Sequence, residues 1–405
     1  MHQQTDKTLY RHIPTSDIYL DHAATTPVDP DVVQAMAPYF TGSFGNPSSI
    51  YRFGQDGLAA VDRARTAVAR ALSCQPAEII FTSGATESNN LALSGVAWAA
   101  KQATRSGAAP HLITTAIEHH AVTHPAEWLE QIGFDLSVAP CDDQGLIDPE
   151  VIRKAIKPFT ALISVMYANN ETGAVQPVAE IAAIAREHGI PMHTDAVQAP
   201  GFLPLNVDEL GVDLLSLSAH KFYGPKAVGV LYVRQGTPIA YQQQGGGQEA
   251  GRRGGTENVP SITGLGLALE IANSDQTDYA ESCRELRDTL WNLIQEMIGG
   301  VLLNGPAIDS ANRLPNNLNF AIEGIQGETV LLGLDMLGVA ASAGSACTTG
   351  NTQPSHVLTA MGHSVERARS SLRLTTGRCN TPGDIDEAVE ALGTTVSRIR
   401  GLGHR

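Results

Sequence analysis

The sequence predicts an α/β protein with a large domain built on a mostly parallel sheet flanked by helices, and a smaller α/β domain. Three observations lead to this fold class. Apolar strands alternate with amphipathic helices about five times before residue 257. A polar segment follows each of these strands, and long helical patterns replace the alternation after a glycine-rich stretch at residues 242–257. We expect the large domain at residues 20–268 and the small domain at residues 1–19 and 269–405.

Composition limits the classes of protein that the chain can belong to. Its 405 residues can bury a large core, and 42% of them are hydrophobic. A net charge of −15 disfavours direct binding of nucleic acid. The N-terminus carries no apolar leader, and no window approaches 18 uninterrupted apolar residues. We therefore expect a soluble, cytoplasmic protein without membrane contact.

The first part of the chain carries a short apolar run and two predicted helices. The run at residues 18–20 ends in a polar loop, and a helix begins at Asp29, which is followed by a proline. Residues 42–54 are rich in turn-forming residues and too polar for a core, so we predict a functional loop there. An amphipathic helix follows over residues 55–72.

A small-residue turn follows the next predicted strand, which covers residues 78–82. The turn, Ser-Gly-Ala-Thr-Glu-Ser at residues 83–88, precedes a helix predicted over residues 89–101. Free N–H groups and the helix dipole make a helix N-terminus a site for anions, so the turn predicts an anion site at Ala85 and Thr86. The same pattern is also compatible with a helix cap that binds no ligand. Because no P-loop or dinucleotide fingerprint is present, nucleotide sites lose support.

Four further strands end in polar segments. Since ligands bind beyond the carboxyl ends of parallel strands, these segments should meet in one crevice. The strands and their polar residues are 111–116 with His119, 160–166 with Asn170, 190–193 with Asp195 and Gln198, and the strand from residue 214 with Ser218, His220 and Lys221. A hairpin-like strand at residues 228–233 follows.

Lys221 ends a buried strand at the mouth of a Gly/Pro turn. Burial lowers the pKa of a lysine and makes its amine nucleophilic, which suits a Schiff base. Taken alone, a surface lysine in a turn is the commoner case. Asp195 is likewise compatible with a helix cap and His119 with a strand-end histidine. Together with the anion site, however, these residues describe a pyridoxal-phosphate pocket, in which Asp195 keeps the pyridine nitrogen protonated and His119 stacks on the ring and moves protons.

Cys347 is the candidate nucleophile among five cysteines. The cysteines are scattered without a C-x-x-C pair, which indicates a reducing compartment and neither a disulfide framework nor a zinc site. Cys347 lies in a run of small residues at 339–350, where a thiolate would be accessible and free to approach its target. The alternative role, a small buried residue, suits Cys74 and Cys283 better, and leaves Cys141 and Cys379 unassigned.

Seven motifs, in order between about residue 19 and residue 378, carry a family resemblance. They are S-G-A-T-E-S-N-N at 83–90, E-H-H-A-V at 118–122, N-N-E-T-G at 169–173, H-T-D-A-V-Q at 193–198, S-A-H-K-F-Y-G-P-K at 218–226, G-G-T-E at 254–257 and G-S-A-C-T at 344–348. The chain resembles the cysteine desulfurases of the NifS/IscS type, in the class V aminotransferase-like branch of fold type I pyridoxal-phosphate enzymes. The resemblance implies a sheet of the seven-stranded type, a catalytic cysteine loop at about residues 339–353 and a homodimer.

The resemblance also implies a role for each matching residue. Arginine suits a carboxylate because its planar guanidinium donates two parallel hydrogen bonds. The implied roles are Schiff-base lysine for Lys221; ring stacking for His119; phosphate binding for Ala85, Thr86, Ser218, His220 and, from the other subunit, Thr256; the pyridine nitrogen for Asp195; the ring-hydroxyl side for Gln198 and Asn170; and the substrate carboxylate for Arg373, assisted by Asn46, with Arg378 as the competing candidate.

The implied reaction converts L-cysteine into L-alanine. Lys221 removes the α-proton, and the Cys347 thiolate attacks the substrate sulfur, which leaves a persulfide on Cys347. An iron–sulfur scaffold or sulfur-carrier protein would accept this sulfur, for cluster assembly or tRNA thiolation. We expect no metal site, apart from a transient ligation of a cluster by Cys347.

Departures from the family pattern leave the acceptor open. His120 stands where lysine is common, and Ala227 stands where glycine is common. The chain also lacks the longer acidic and aromatic tail with which some members dock their scaffold. Two alternatives remain: a selenocysteine lyase or another amino-acid lyase or aminotransferase of the same fold, and a non-catalytic sulfur-transfer docking partner. The intact set of Lys221, Asp195 and His119 weighs against the second.

Overall fold

The central element is a seven-stranded sheet in which a single strand runs antiparallel to its neighbours. We describe a computed structural model, which covers residues 17–104, 107–343 and 353–402. The strands are β1 (Ile18–Tyr19), β2 (Ile79–Thr82), β3 (His111–Thr115), β4 (Asp135–Ala139), β5 (Thr160–Ser164), β6 (Met192–Asp195), β7 (Leu214–Ser218), β8 (Gly229–Val233), β9 (Val301–Leu303), β10 (Asn317–Ile322), β11 (Val339–Ala340) and β12 (Ser371–Thr375). The large sheet has the order β2-β8-β7-β6-β5-β3-β4, and only β8 is antiparallel within it.

Helices cover both faces of this sheet. The helices are α1 (Pro30–Met36), α2 (Pro38–Thr41), α3 (Arg52–Leu72), α4 (Ala85–Ala103), α5 (His120–Gln131), α6 (Pro149–Ala155), α7 (Val178–Glu187), α8 (Val207–Leu210), α9 (Val259–Ser274), α10 (Gln276–Met297), α11 (Gly327–Asp335), α12 (His356–Ala360), α13 (Val365–Arg369) and α14 (Pro382–Leu402). The predicted α/β class and the mostly parallel sheet are thus confirmed. No helix in the described ranges is long and apolar enough to cross a membrane.

Most strands of the large sheet bury both faces, whereas the edge strand β4 is partly exposed. Successive residues of β2 alternate between two core clusters: Ile79 and Phe81 belong to the cluster that includes α3, α7 and α9, whereas Ile80 belongs to the cluster that includes α4 and α5. This alternation follows from the two-residue period of a strand. Covered on both faces, strands such as β7 and β8 have mostly apolar sequences rather than an alternating pattern.

A separate core cluster surrounds the antiparallel sheet β12-β10-β9. It combines β10 and β12 with apolar residues of α10, α11 and α14, and with Ile18 and Leu20 from the start of the chain. Strand β1 pairs in parallel with β11, which explains how the N-terminal residues join this cluster. The division into domains at residues 20–268 and at 1–19 with 269–405 stays a prediction, since Leu20 joins this second cluster while Val357 and Leu358 of α12 join the core of the large sheet.

The helix predicted from residue 55 begins at Arg52, and two further predicted helix starts, both at the crevice, were also wrong. Helix α4 begins at Ala85 rather than at residue 89, because Gly84 is its N-cap. Helix α5 begins at His120 rather than near residue 126, since the His119 side chain accepts a hydrogen bond from the Ala121 N–H and caps it. At α4 the predicted polar turn forms the first turn of the helix, and at α5 the polar residue His119 directly precedes the helix as its N-cap.

Candidate active site

A cavity of about 600 Å³ opens at the C-terminal edge of the parallel strands. Because every strand of the large sheet except β8 points the same way, the polar segments that follow these strands come together there. The predicted site residues that line the cavity are Ala85, Thr86, His119, Asn170, Asp195, Gln198, Ser218, His220, Lys221 and Arg373.

Two of the described site residues that the sequence predicts are not part of this lining. Asn46 and Thr256 are exposed and do not line the cavity. The Asn46 side chain instead accepts a hydrogen bond from the Ser48 N–H at 2.9 Å. Cys347 lies outside the described residues. The roles of Asn46 towards the substrate and of Thr256 towards a second subunit therefore stay predictions.

The N-terminus of α4 forms one end of the cavity. Gly84 has φ +149° and ψ 173°, a conformation that is essentially restricted to glycine. The N–H groups of the first turn, at Ala85 and Thr86, have no partner within the helix. Opposite Gly84 lies the hydroxyl of Ser218, which is 3.9 Å from the position that a Cβ at Gly84 would occupy. Backbone donors, a helix dipole and a hydroxyl thus converge on a place suited to an anion.

The Lys221 amine faces a backbone segment from near the start of the chain. Its Nζ donates to the carbonyl oxygens of Ala23 at 2.6 Å and Ala24 at 2.7 Å. The same segment holds the lysine turn, since the Thr26 N–H donates to the His220 carbonyl at 2.9 Å. Gln198 Nε2 also donates to the Ala23 carbonyl, at 3.1 Å. The polar loop that precedes α1 is therefore one wall of the site.

His220 is held in its neutral form beside this lysine. Burial, together with the positive charges of Lys221 and Lys226, lowers its pKa to about 4. Its Nδ1 lies 3.1 Å from the hydroxyl of Thr25. A neutral ring can still offer a donor to an anion in the cavity.

Asp195 is a buried carboxylate with two fixed donors. Its Oδ2 accepts from the amide of Asn89 at 2.7 Å, and its Oδ1 accepts from the Val197 N–H at 3.0 Å. Asn89, on α4, is fully buried. The sequence argument did not single out Asn89, although it lies in the motif at residues 83–90. These two hydrogen bonds orient the carboxylate and satisfy part of its charge.

His119 is neutral, and its tautomer is fixed by the hydrogen bond with which its side chain caps α5. Burial lowers its pKa, while the nearby Asp195 charge opposes that shift. Because Nδ1 accepts from the Ala121 N–H at 3.0 Å, the proton of the neutral ring lies on Nε2. The ring thus has one donor and lines the cavity.

Three further histidines extend from His119 to the surface, and sequence reasoning missed two of them. The His120 ring stacks on His124 with a centroid distance of 4.6 Å and packs against His356 at 4.7 Å. His356 Nε2 donates to the carbonyl of Glu118 at 2.9 Å. No sequence signal links His356 to α5, which lies more than 200 residues earlier. Within the described ranges, no group of three or more His, Cys, Asp or Glu side chains is arranged to hold a metal ion.

The residues that line the cavity fit pyridoxal phosphate. The α4 N-terminus and Ser218 suit its phosphate, and the primary amine of Lys221 suits its aldehyde. The Asp195 carboxylate, fixed by Asn89, suits its pyridine nitrogen. Glycine at position 84 leaves room for the close approach that a phosphate cradle requires. We therefore find the donor set compatible with this cofactor.

Comparison with known families gives one match across nearly the whole chain. Residues 18–387 match the family model described as aminotransferase class V. A protein from Dictyoglomus turgidum named "Cysteine desulfurase IscS" is 47% identical over 386 residues, covering 95% of this chain and 96% of the relative. A protein of the same name from Methanosarcina thermophila is 46% identical over 385 residues, covering 95% of this chain and 93% of the relative.

Solved structures of similar fold also match nearly the whole chain. A structure titled "NifS-like protein" superposes with a TM-score of 0.87 at 34% identity, and the match covers 94% of this chain and 99% of that one. Another, titled "SspA in complex with cysteine", has a TM-score of 0.78 at 38% identity and covers 89% and 99% of the two chains. Both are similar to this chain in fold and in length.

Proposed function

The chain belongs to the class-V aminotransferase family, and from that premise we propose that it is a pyridoxal-phosphate-dependent cysteine desulfurase. It converts L-cysteine into L-alanine and retains the sulfur as a persulfide on Cys347. The observation that carries this proposal is the shared cavity of Lys221, Asp195 and the N-terminus of α4. Similarity to proteins named as cysteine desulfurases, at 46–47% identity over 95% of the chain, supports it further.

Each group around the cavity would hold one part of the cofactor. The phosphate would lie at Ala85, Thr86, Ser218 and His220, with Thr256 contributed by a second copy of the chain. Asp195 would pair with the pyridine nitrogen, and Gln198 and Asn170 would lie on the side of the ring hydroxyl. When bound, pyridoxal phosphate supplies an electron sink for the negative charge that develops at the substrate Cα.

The chain's own residues would then bind the substrate and move its protons. Arg373, assisted by Asn46, binds the substrate carboxylate, and Lys221 takes the α-proton. His119 presents a neutral ring with its proton on Nε2, so it can donate at that atom. These groups orient L-cysteine before the bond to its sulfur breaks.

Sulfur transfer to Cys347 balances without an added oxidant. The Cys347 thiolate attacks the substrate sulfur, a new S–S bond forms, and the Cβ–S bond breaks. Both sulfur atoms are oxidised by one unit each, and the Cβ carbon is reduced by two as it becomes the methyl group of alanine. Burial raises the pKa of Cys74 and Cys283 to about 12 and that of Cys141 to about 11, so these thiols are poor nucleophiles.

The persulfide would pass to an iron–sulfur scaffold or a sulfur-carrier protein. We propose that the enzyme works as a homodimer in the cytoplasm, without direct contact to nucleic acid or membrane. Cluster assembly and tRNA thiolation are the two pathways that this sulfur could supply.

The test is an assay of purified protein loaded with pyridoxal phosphate. We expect absorbance near ~400 nm, which is typical of this cofactor bound to lysine. L-cysteine should yield alanine and, with a reductant, sulfide, and Cys347→Ala should abolish turnover but keep the absorbance. The matched control Cys141→Ala should retain turnover.

Other outcomes would overturn parts of the proposal. Turnover retained in Cys347→Ala would favour a selenocysteine lyase or another lyase of the same fold. Failure to acquire the absorbance, even with added cofactor, would contradict the pocket and favour a non-catalytic docking protein.

A further inference from the structure

Arg373 is a nearly buried arginine in β12 whose guanidinium reaches the cavity. Its side chain is 1% exposed, and it lines the cavity together with Asn170. Nη2 donates to Oδ1 of Asp21 at 2.7 Å, and Nη1 donates to the carbonyl of Asn170 at 2.9 Å. The backbone is fixed as well, because the Arg373 N–H donates to the Ser342 carbonyl at 2.6 Å. Both ends of this residue are therefore held by contacts far away in sequence.

Asp21 is itself immobilised at the end of β1. It forms a bridge with Thr375 of β12, and its carbonyl accepts from the Ala24 N–H at 3.0 Å and from the Tyr19 hydroxyl at 3.0 Å. Its side chain is 17% exposed. Burial raises the pKa of the Asp21 carboxyl, and the charge of Arg373 opposes that shift. A carboxylate in this position is a rigid partner for a guanidinium.

The competing arginine, Arg378, has a different environment. Its guanidinium lies over the rings of Tyr223 and Tyr279, at 4.9 and 5.3 Å from their centroids. It pairs with Asp29 at 3.4 Å and with Asp275 at 3.5 Å, and it does not line the cavity. Asp29 and Arg378 thus form an aspartate–arginine ion pair that is placed away from the proposed substrate.

We propose that Asp21 is a positioning residue for the substrate carboxylate, acting through Arg373. A guanidinium is planar, and it binds a carboxylate best when the two carboxylate oxygens lie in that plane. Because Asp21 holds Nη2 and the Asn170 carbonyl holds Nη1, the plane of the Arg373 guanidinium is fixed where it lines the cavity. This inference rests on the carboxylate-binding role of Arg373 in the proposed function.

Asp21 could affect the binding of carboxylates through its charge or by positioning Arg373, and the two effects change the affinity in opposite directions. If Asp21 acted only through its charge, its removal would leave Arg373 more positive and carboxylates would bind more tightly. If Asp21 positions Arg373, removing the side chain frees the guanidinium, and carboxylates bind more weakly. An asparagine at position 21 keeps an oxygen acceptor without the charge. The order of affinities among Asp21, Asp21→Asn and Asp21→Ala therefore separates the two effects.

The test measures binding rather than turnover. The enzyme loaded with pyridoxal phosphate is titrated with L-alanine and with L-alaninamide, which lacks the carboxylate, and each Kd is read from the change in cofactor absorbance. For Asp21→Ala we expect the preference for L-alanine over the amide to fall about tenfold relative to the wild type, equivalent to about 1.4 kcal/mol. Asp21→Asn should restore most of that preference.

A matched variant controls for the loss of an ion pair as such. Asp29→Ala removes one of the two carboxylates that pair with Arg378, and we expect the preference for L-alanine to stay within about twofold of the wild-type value. The inference would be overturned if the preference for L-alanine fell equally in Asp21→Ala and Asp29→Ala. It would also be overturned if the preference in Asp21→Ala were equal to or greater than that of the wild type. If Asp21→Ala does not fold, Asp21→Asn decides. A preference for L-alanine that is unchanged or only modestly reduced relative to the wild type supports positioning, and a clearly greater preference contradicts it.

The inference and the proposed function can fail separately. A wild-type enzyme that binds L-alanine in this way but releases no alanine from L-cysteine would contradict the desulfurase and leave the role of Asp21 standing. A working desulfurase whose preference for L-alanine over the amide does not change in Asp21→Ala would contradict the role of Asp21 alone.

Discussion

The Asn89 amide donates a hydrogen bond of 2.7 Å to the Asp195 carboxylate, joining α4 to the C-terminal end of β6. Asn89 is fully buried and Asp195 nearly so. Helix α4 therefore contributes twice to the proposed cofactor site, once through its N-terminal N–H groups and once, a turn later, through this side chain. The distance between the two ends of the cofactor site is set by one rigid helix.

We expect Asn89→Ala to weaken the binding of pyridoxal phosphate about tenfold to a hundredfold, because a hydrogen bond to a charged group contributes about 1.5–3 kcal/mol. A titration of the cofactor-free protein followed by absorbance would measure this. The control is Asn90→Ala, on the same helix, whose amide donates only to the Thr86 carbonyl and which should bind as the wild type does. Equal affinities in Asn89→Ala and the wild type would contradict the role.

Acid stability should depend on His193, which bridges three neighbouring strands. Its Nδ1 lies 2.8 Å from the Ser164 hydroxyl and its Nε2 lies 3.0 Å from the Ser216 hydroxyl. Burial lowers the pKa of this histidine to about 3. Since the unfolded chain takes up a proton below about pH 6.5 and the folded chain does not, stability is lost as the pH falls from 6.5 towards 3.

At pH 5 this one group should lower the free energy of unfolding by about 2 kcal/mol relative to pH 8. In urea unfolding at pH 8 and pH 5, the free energy of unfolding of His193→Gln should therefore drop by about 2 kcal/mol less than that of the wild type. His188→Gln, which changes an exposed histidine, should retain the wild-type drop. A His193→Gln variant with the full pH dependence would show that the bridge does not titrate in this way.

Glu118 should make the protein less stable at high pH, whereas His193 makes it less stable at low pH. It is fully buried, its Oε1 accepts from the Thr115 hydroxyl and the Met166 N–H, and Oε2 has no hydrogen-bond partner among the described residues. Burial raises the pKa of this carboxyl to about 8. Because the pKa is higher in the folded state than in the unfolded state, the contribution of Glu118 to stability is fully present below about pH 4.5. This contribution is lost as the pH rises through 8.

Between pH 6 and pH 9 the loss from Glu118 should be about 3 kcal/mol. Glu118→Gln cannot ionise, so its thermal stability should fall less over this range than that of the wild type. Glu130→Gln removes an exposed carboxylate from α5 and serves as the control, with the wild-type dependence expected. Parallel curves for Glu118→Gln and the wild type would contradict a neutral carboxyl at this position.

Residues that end strands were predictable from the sequence, because strand polarity fixes where such side chains lie. Lys221, Asp195 and His119 follow parallel strands, and the structure brings all three to one cavity. Backbone partners were not predictable: the carbonyl of Ala23 contacts Lys221 from 198 residues away, and a carbonyl carries no residue-type signal. Asp21 was missed for a related reason, since its partner Arg373 lies 352 residues later on another sheet.

Gly84, the N-cap of α4, has a backbone conformation that is strained for any residue with a Cβ. We therefore expect Gly84→Ala to cost about 1–3 kcal/mol of stability or to change the direction of the first N–H groups of the helix. Gly236→Ala is a matched control, because Gly236 has φ +93° and nothing within 4 Å of the added Cβ. Both variants should lower the free energy of unfolding, which chemical denaturation measures. Only Gly84→Ala should also lower cofactor affinity, by about tenfold or more, since it moves donors that we assign to the phosphate. If both variants kept wild-type cofactor affinity, the α4 N-terminus would not be the phosphate site.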